Sequence, residues 1–216
     1  MNLLFSSAMW LPVTAVVLCA QDPFQVAPAN YHREFDNGYV DVSRVTLRPG
    51  DMLPVHNHPA IPTVYVYLTG GGPIRFTHIQ PSPYVLVRRP VRAGAIRFNR
   101  NAHTETHRVE YLGDTSSEYL RVSLKTVPGP RHRDARIAAD DPTPFEDAQV
   151  RIGRFTCAPH GTCDPPGRPA VIVNLNTRTA TWFDPAAGGA RENRTSEAIH
   201  EIRIELKTGP ALTEHP

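Results

Sequence analysis

His56 and His58 stand two residues apart in Gly50-Asp-Met-Leu-Pro-Val-His56-Asn-His58, just before the β-rich run Thr63-Val-Tyr-Val-Tyr-Leu-Thr-Gly70. Side chains alternate along a strand, so both imidazoles point to one face. Converging neutral imidazoles make a ready transition-metal site. A third histidine, His107, follows in His103-Thr-Glu105-Thr-His107-Arg-Val-Glu-Tyr-Leu-Gly113. His103, Glu105 and His107 share parity, so a strand that reaches back that far turns all three inward. Glu105 would then add a carboxylate to the site, or His103 a fourth imidazole. His78 is expected on a strand outside this cluster. His32, His132, His200 and His215 are expected at the surface.

Tyr65 and Tyr67 share parity with Thr63 and face the same cavity. Either phenol could orient a substrate or hydrogen-bond an oxygen there, and plain aromatic packing is the competing reading. Arg75 and Arg97 flank apolar strand residues. They could meet an anionic substrate, although arginine on a strand is more often exposed.

The segments that must position these groups read as strands. Residues 39–48 alternate strongly and end at Pro49-Gly50. Residues 64–68, 74–79, 84–87, 95–98, 107–112 and 119–124 continue the series, with glycine and proline at the breaks. Turn signals at this spacing indicate a sandwich or barrel. The 22 prolines among 216 residues argue against long helices. With 40% apolar and 20% charged residues the chain is globular, and with a formal charge of +2 and scattered arginines it shows no nucleic-acid footprint.

Residues 127–146 form a proline-rich linker, and beyond it the chain repeats itself. Arg121-Val-Ser-Leu-Lys-Thr126 recurs as Arg203-Ile-Glu-Leu-Lys-Thr208, an offset of 82. Tyr39-Val-Asp-Val-Ser-Arg-Val-Thr46 recurs as Gln149-Val-Arg-Ile-Gly-Arg-Phe-Thr156, an offset of 110. The second copy is therefore shortened in its middle. Pro166 and Arg168 fall at the ungapped positions of His56 and His58, so no histidine cluster is expected there.

The spacing G-x5-H-x-H-x4-T-x6-G over residues 50–70 resembles the first motif of the cupin family, with Thr63 where that family carries Glu. The stretch from Gly94 to Asp114 resembles the second motif loosely. Arg100 and Ala102 replace its Pro and second Gly, Tyr111 replaces its Asn, and two extra residues precede His107. The resemblance covers residues 38–126 well and 147–208 weakly. It implies an all-β, cupin-type double-stranded β-barrel (jelly roll) over 21–126, with a shortened, degenerate second half over 147–216. It also implies a divalent transition metal (Fe, Mn, Ni, Cu or Zn) held by His56, His58 and His107, a small-molecule ligand or substrate, and pairing into a homodimer.

Residues 1–20 carry no charge and contain a short apolar run before Gln21-Asp22-Pro23, which reads as a signal peptide rather than a membrane span. Its removal takes Cys19 and leaves Cys157 and Cys163, a pair suited to a disulfide in an oxidising compartment. His160 between them gives a loose metal spacing that lacks a fourth ligand. Export to the periplasm or medium is expected, with no membrane span remaining. Three functional classes stay open: a metal-dependent enzyme of dioxygenase type, a barrel that binds a sugar or organic acid without turning it over, and a structural barrel.

Overall fold

The structure is a computed structural model, and it describes residues 21–127, 145–189 and 191–210. The expected signal peptide over 1–20 and most of the expected linker lie outside these residues. So do His132 and His215.

A short helix α1 (Pro23–Val26) precedes nine strands: β1 (Tyr31–Asp36), β2 (Val40–Leu47), β3 (Met52–His58), β4 (Thr63–Tyr67), β5 (Ile74–Gln80), β6 (Tyr84–Arg88), β7 (Ile96–Asn99), β8 (Glu105–Tyr111) and β9 (Ser117–Leu124). They form two antiparallel sheets in the orders β1-β2-β9-β4-β7 and β3-β8-β5-β6. With β2 to β9 counted as a series, these are the interleaved orders 1-8-3-6 and 2-7-4-5 of a jelly roll. The turn from β2 to β3 has Pro49 at its second position and Gly50 at its third, with φ of 82°. Asp51 N donates to Arg48 O at 2.9 Å and closes it. This is a type II turn, whose third position needs the left-handed backbone that glycine tolerates.

The second half repeats the five-stranded sheet. Strands β10 (Phe145–Glu146), β11 (Val150–Cys157), β13 (Ala170–Asn174), β14 (Thr179–Phe183) and β16 (Ile199–Leu206) run in the order β10-β11-β16-β13-β14. The register repeats as well: Val40 pairs with Leu124 as Val150 pairs with Leu206, and Phe35 pairs with Val42 as Phe145 pairs with Ile152. A two-stranded ribbon, β12 (Thr162–Cys163) with β15 (Arg191–Glu192), stands in place of the β3–β8 pair. Between Val64 and its partner Phe98 lies the β5–β6 hairpin, whereas between the corresponding pair Val171 and Trp182 there is only a tight turn. The shortening in the sequence is the loss of that hairpin. A disulfide joins Cys157 and Cys163, with 5.1 Å between their Cα atoms.

Strand alternation builds two cores. Val40, Val42, Val64, Val66, Leu120 and Val122 leave the barrel and pack on Val150, Ile152, Val171, Val173, Ile202 and Ile204. The opposite faces of the same strands turn Val45, Tyr65, Tyr67 and Tyr119 inward to meet Leu53, Phe76 and Val109. Strand β4 is buried at every position, because it has a core on each side. Replacing Leu120 by Ala should cost about 3 kcal/mol in a urea titration, within the usual range for a buried leucine. A loss below about 1 kcal/mol would show that the two five-stranded sheets do not share a core.

Candidate metal centre

Strand β3 does not alternate regularly. Leu53 pairs with Val109 and His56 pairs with His107, so two residues of β3, Pro54 and Val55, oppose one of β8. This bulge lets Leu53, His56 and His58 all turn inward, where a regular strand would put Leu53 and His56 on opposite faces. It also accommodates Pro54, which lacks a ladder donor, on an edge strand.

Adjacent strands then bring the imidazoles together. His56 pairs across to His107, and His107 pairs onward to His78 on β5. The ring centroids of His56, His58 and His107 lie 4.8–5.2 Å apart, all three side chains are buried, and their ligand atoms fall within 4.8 Å of one another. A second group, His78, Glu105 and His107, meets the same distance and shares His107 with the first. Glu105 Oε1 is 3.0 Å from His78 Nδ1 and 3.6 Å from His107 Nδ1. The carboxylate missing at Thr63 is thus present in the barrel, across His107 from the His56–His58 pair.

His78 is not outside the cluster, as its strand alone suggested. It is buried, pairs directly with His107 and stacks on Tyr84 at 4.1 Å. His103 is the opposite correction. It is exposed and precedes β8, which begins at Glu105. Asn101 takes a left-handed φ of 43° and donates its N–H to Asn99 Oδ1, a turn that ends the extended chain before His103 can face inward. His160 is exposed in a turn, and both neighbouring cysteines are in the disulfide.

Hydrogen bonds set the tautomers. His56 Nδ1 lies 2.7 Å from Pro54 O, and a carbonyl only accepts, so Nδ1 carries the proton and Nε2 keeps its lone pair. Tyr31 Oη is 3.5 Å from that Nε2. Arg121 Nη1 donates to His58 Nδ1 at 2.8 Å. His58 can therefore ligate through Nδ1 only if Arg121 releases it, or through Nε2 only after losing the proton that the neutral ring places there. Thr63 is occupied structurally: its hydroxyl donates to Ile61 O at 3.0 Å and accepts from Asn101 Nδ2 at 3.1 Å.

Burial lowers the pKa of His56 to about 4, with His107 adding to the effect and the Pro54 bond opposing it. Burial and then the Arg121 charge hold His58 well below its ordinary value. Burial also lowers His78, against the pull of Glu105. At Glu105 burial acts upward but is outweighed by His107, His78 and Arg88, which bring its pKa to about 2. Burial raises Tyr31 to about 12. Near neutral pH His56, His58 and His78 are thus uncharged, the ligating form, and Glu105 is a carboxylate.

Tyr65 and Tyr67 are in the interior, packed around Tyr119 at 6.2 and 5.4 Å. Arg97 and Arg121 each sit 5.7 Å over the Tyr65 ring, while Arg75 is at the margin, paired with Glu110. Tyr31, His78 and Arg121 were not marked out by the sequence. Parity with Tyr119 is the one signal that could have turned Arg121 inward.

No known family's profile matches the chain, and no curated protein matches it. Among solved structures, a cupin domain protein from Bordetella pertussis Tohama I is 21% identical, covering 44% of this chain and 91% of its own, with a TM-score of 0.37. YhaK from Escherichia coli is 12% identical over 87% of this chain and 98% of its own, with a TM-score of 0.48. A variant of oxalate decarboxylase from Bacillus subtilis is 10% identical over 85% and 77%, with a TM-score of 0.46.

The histidine shifts give a pH dependence with a definite sign. His56 binds a proton less readily folded than unfolded, so its contribution is complete above pH 6.5 and is lost as the pH falls from there toward 4. For His56 alone the loss is about 3 kcal/mol, and His58 acts in the same direction. Urea midpoints of metal-free protein should therefore fall between pH 7 and 5, and the slope should flatten in His56→Asn. An equal slope in that variant would show that His56 is not buried in its neutral form.

Proposed function

We propose that the first barrel of this cupin-type fold holds one divalent transition metal (Fe, Mn, Ni, Cu or Zn) through His56, His58 and His107. We propose further that the protein is exported and acts on a small molecule as a metal-dependent enzyme of dioxygenase type. The observation that carries the metal reading is the convergence of three buried imidazoles from two adjacent strands, with ligand atoms within 4.8 Å. When bound, such a metal supplies Lewis acidity or redox chemistry at its open positions. The chain's own groups prepare for it. Pro54 O fixes the His56 tautomer, Tyr31 offers a hydroxyl beside Nε2, and Glu105 is ionised near His107.

Export is supported by the apolar leader and by the Cys157–Cys163 disulfide, a bond that persists in oxidising compartments. Among the described residues no helix is long and apolar enough to cross a membrane. Pairing into a homodimer is supported by β6, an edge strand with Tyr84, Val85 and Val87 exposed. A non-catalytic, ligand-binding barrel is the second reading. It is favoured by Arg121, which engages His58 in competition with a metal.

Purified without chelator or reconstituted, wild-type protein should take up about one metal ion and His107→Ala should lose it. Oxygen uptake with small-molecule substrates should need the loaded metal and vanish in His56→Ala. Metal in wild type without any metal-dependent turnover would favour the binding barrel. Arg121→Gln should tighten metal binding about tenfold, because it frees His58 Nδ1 and removes a neighbouring cation. Weaker binding in that variant would show that Arg121 orients the ligand set instead.

A further inference from the structure

The internal repeat supplies a comparison that the histidines do not. Arg121 pairs across to Ser43 on β2 as Arg203 pairs across to Gly153 on β11, so the two arginines hold the same place in their sheets. Both are buried, at 7% and 4% exposure. Arg203 has its counter-ion: its Nε donates to Glu201 Oε2 at 3.0 Å, and Arg191 reaches the same carboxylate. In the first barrel the place of Glu201 is taken by Tyr119, and that of Glu205 by Ser123. Among the described residues no carboxylate lies within ion-pair reach of Arg121, and its Nε has no hydrogen-bond partner. The groups around it are neutral: His58 and the phenols of Tyr65, Tyr31 and Tyr119.

The space beside Arg121 is a cavity of about 210 Å³, lined also by Ser43, Asn57, His58 and Ser123. Arg33 and Lys125 at its margin are already paired with Asp41 and Asp36. Asp22, also at the margin, caps the backbone N–H of Phe24. Arg121 is thus the one cation of the lining that lacks a carboxylate. The cavity volume is below the roughly 300–1,000 Å³ of pockets that take drug-sized ligands, and it suits a small one.

We propose that this cavity binds a small organic carboxylate, which supplies to Arg121 the counter-ion that Glu201 supplies to Arg203, with the hydroxyls of Ser43 and Ser123 as further hydrogen-bonding groups. The proposal rests on the ligand-binding reading of the barrel, whose ligand class it names, and does not require the metal. It is built on the β2 and β9 side of His58.

Calorimetric titration of acetate into metal-free protein in chelator tests the proposal, with acetamide and inorganic phosphate as comparisons. Acetate should bind wild type and His107→Ala alike and raise the melting temperature of both, and acetamide should do neither. Binding should weaken about tenfold or more in Arg121→Gln. It should weaken as much in Ser123→Glu, which keeps Arg121 and places a carboxylate where the second half has Glu205. This surface-reaching variant decides the matter if Arg121→Gln does not fold. Absence of acetate binding to wild type, undiminished binding to Ser123→Glu, or binding of phosphate in its place would overturn the assignment. His107→Ala keeps the outcome separate from the metal reading, since it should lose metal and retain acetate.

Discussion

The alternation of β9 divides the molecule between two tasks. Leu120, Val122 and Leu124 belong to the core that joins the two five-stranded sheets, while Tyr119, Arg121 and Ser123 belong to the barrel interior. A shift of one residue in its pairing would exchange these sets, placing charge between the sheets and leucine beside the histidines. The same holds for β4, where Val64 and Val66 face one core and Thr63, Tyr65 and Tyr67 the other. Register is thus fixed from both sides, and the interior inherits a rigid wall against which the histidine strands are set.

On that wall the electrostatics are arranged around one shared residue. His107 stands between the His56–His58 pair on β3 and His78 on β5, with Glu105 two residues before it on its own strand. Burial keeps His56, His58 and His78 in their uncharged form, and Glu105 remains ionised where it touches the row. Arg121 enters from the opposite sheet and donates to His58. Histidine chemistry and guanidinium charge therefore meet at a single imidazole, and what happens at either side of His58 is felt at the other.

Much of this was legible in the chain itself. Strand-like runs between glycine and proline breaks located most strands of the first half, though not β1, and parity placed Tyr65 and Tyr67 on the inner face. The two repeat offsets recur as pairing register. What escaped was whatever depends on the meeting of distant segments. His78 joins the row only because β5 lies beside β8, a neighbourhood that no local pattern encodes. The bulge at Pro54 and Val55 left no signal beyond the proline. His103 failed because one left-handed residue, Asn101, cut the strand short. Arg121 entered the sequence reading only as part of the repeat, and its place beside His58 depends on a meeting of two sheets.

The tight turn that replaces the β5–β6 hairpin in the second half bears on how such a chain can change over time. A pocket lost through substitutions can return through substitutions, but a missing wall cannot, because no exchange of side chains rebuilds two strands. Removal of such a hairpin from one of two repeated halves acts as a ratchet. The second half packs on the first and neutralises its own arginine with Glu201, and among the described residues the buried histidines all lie in the first.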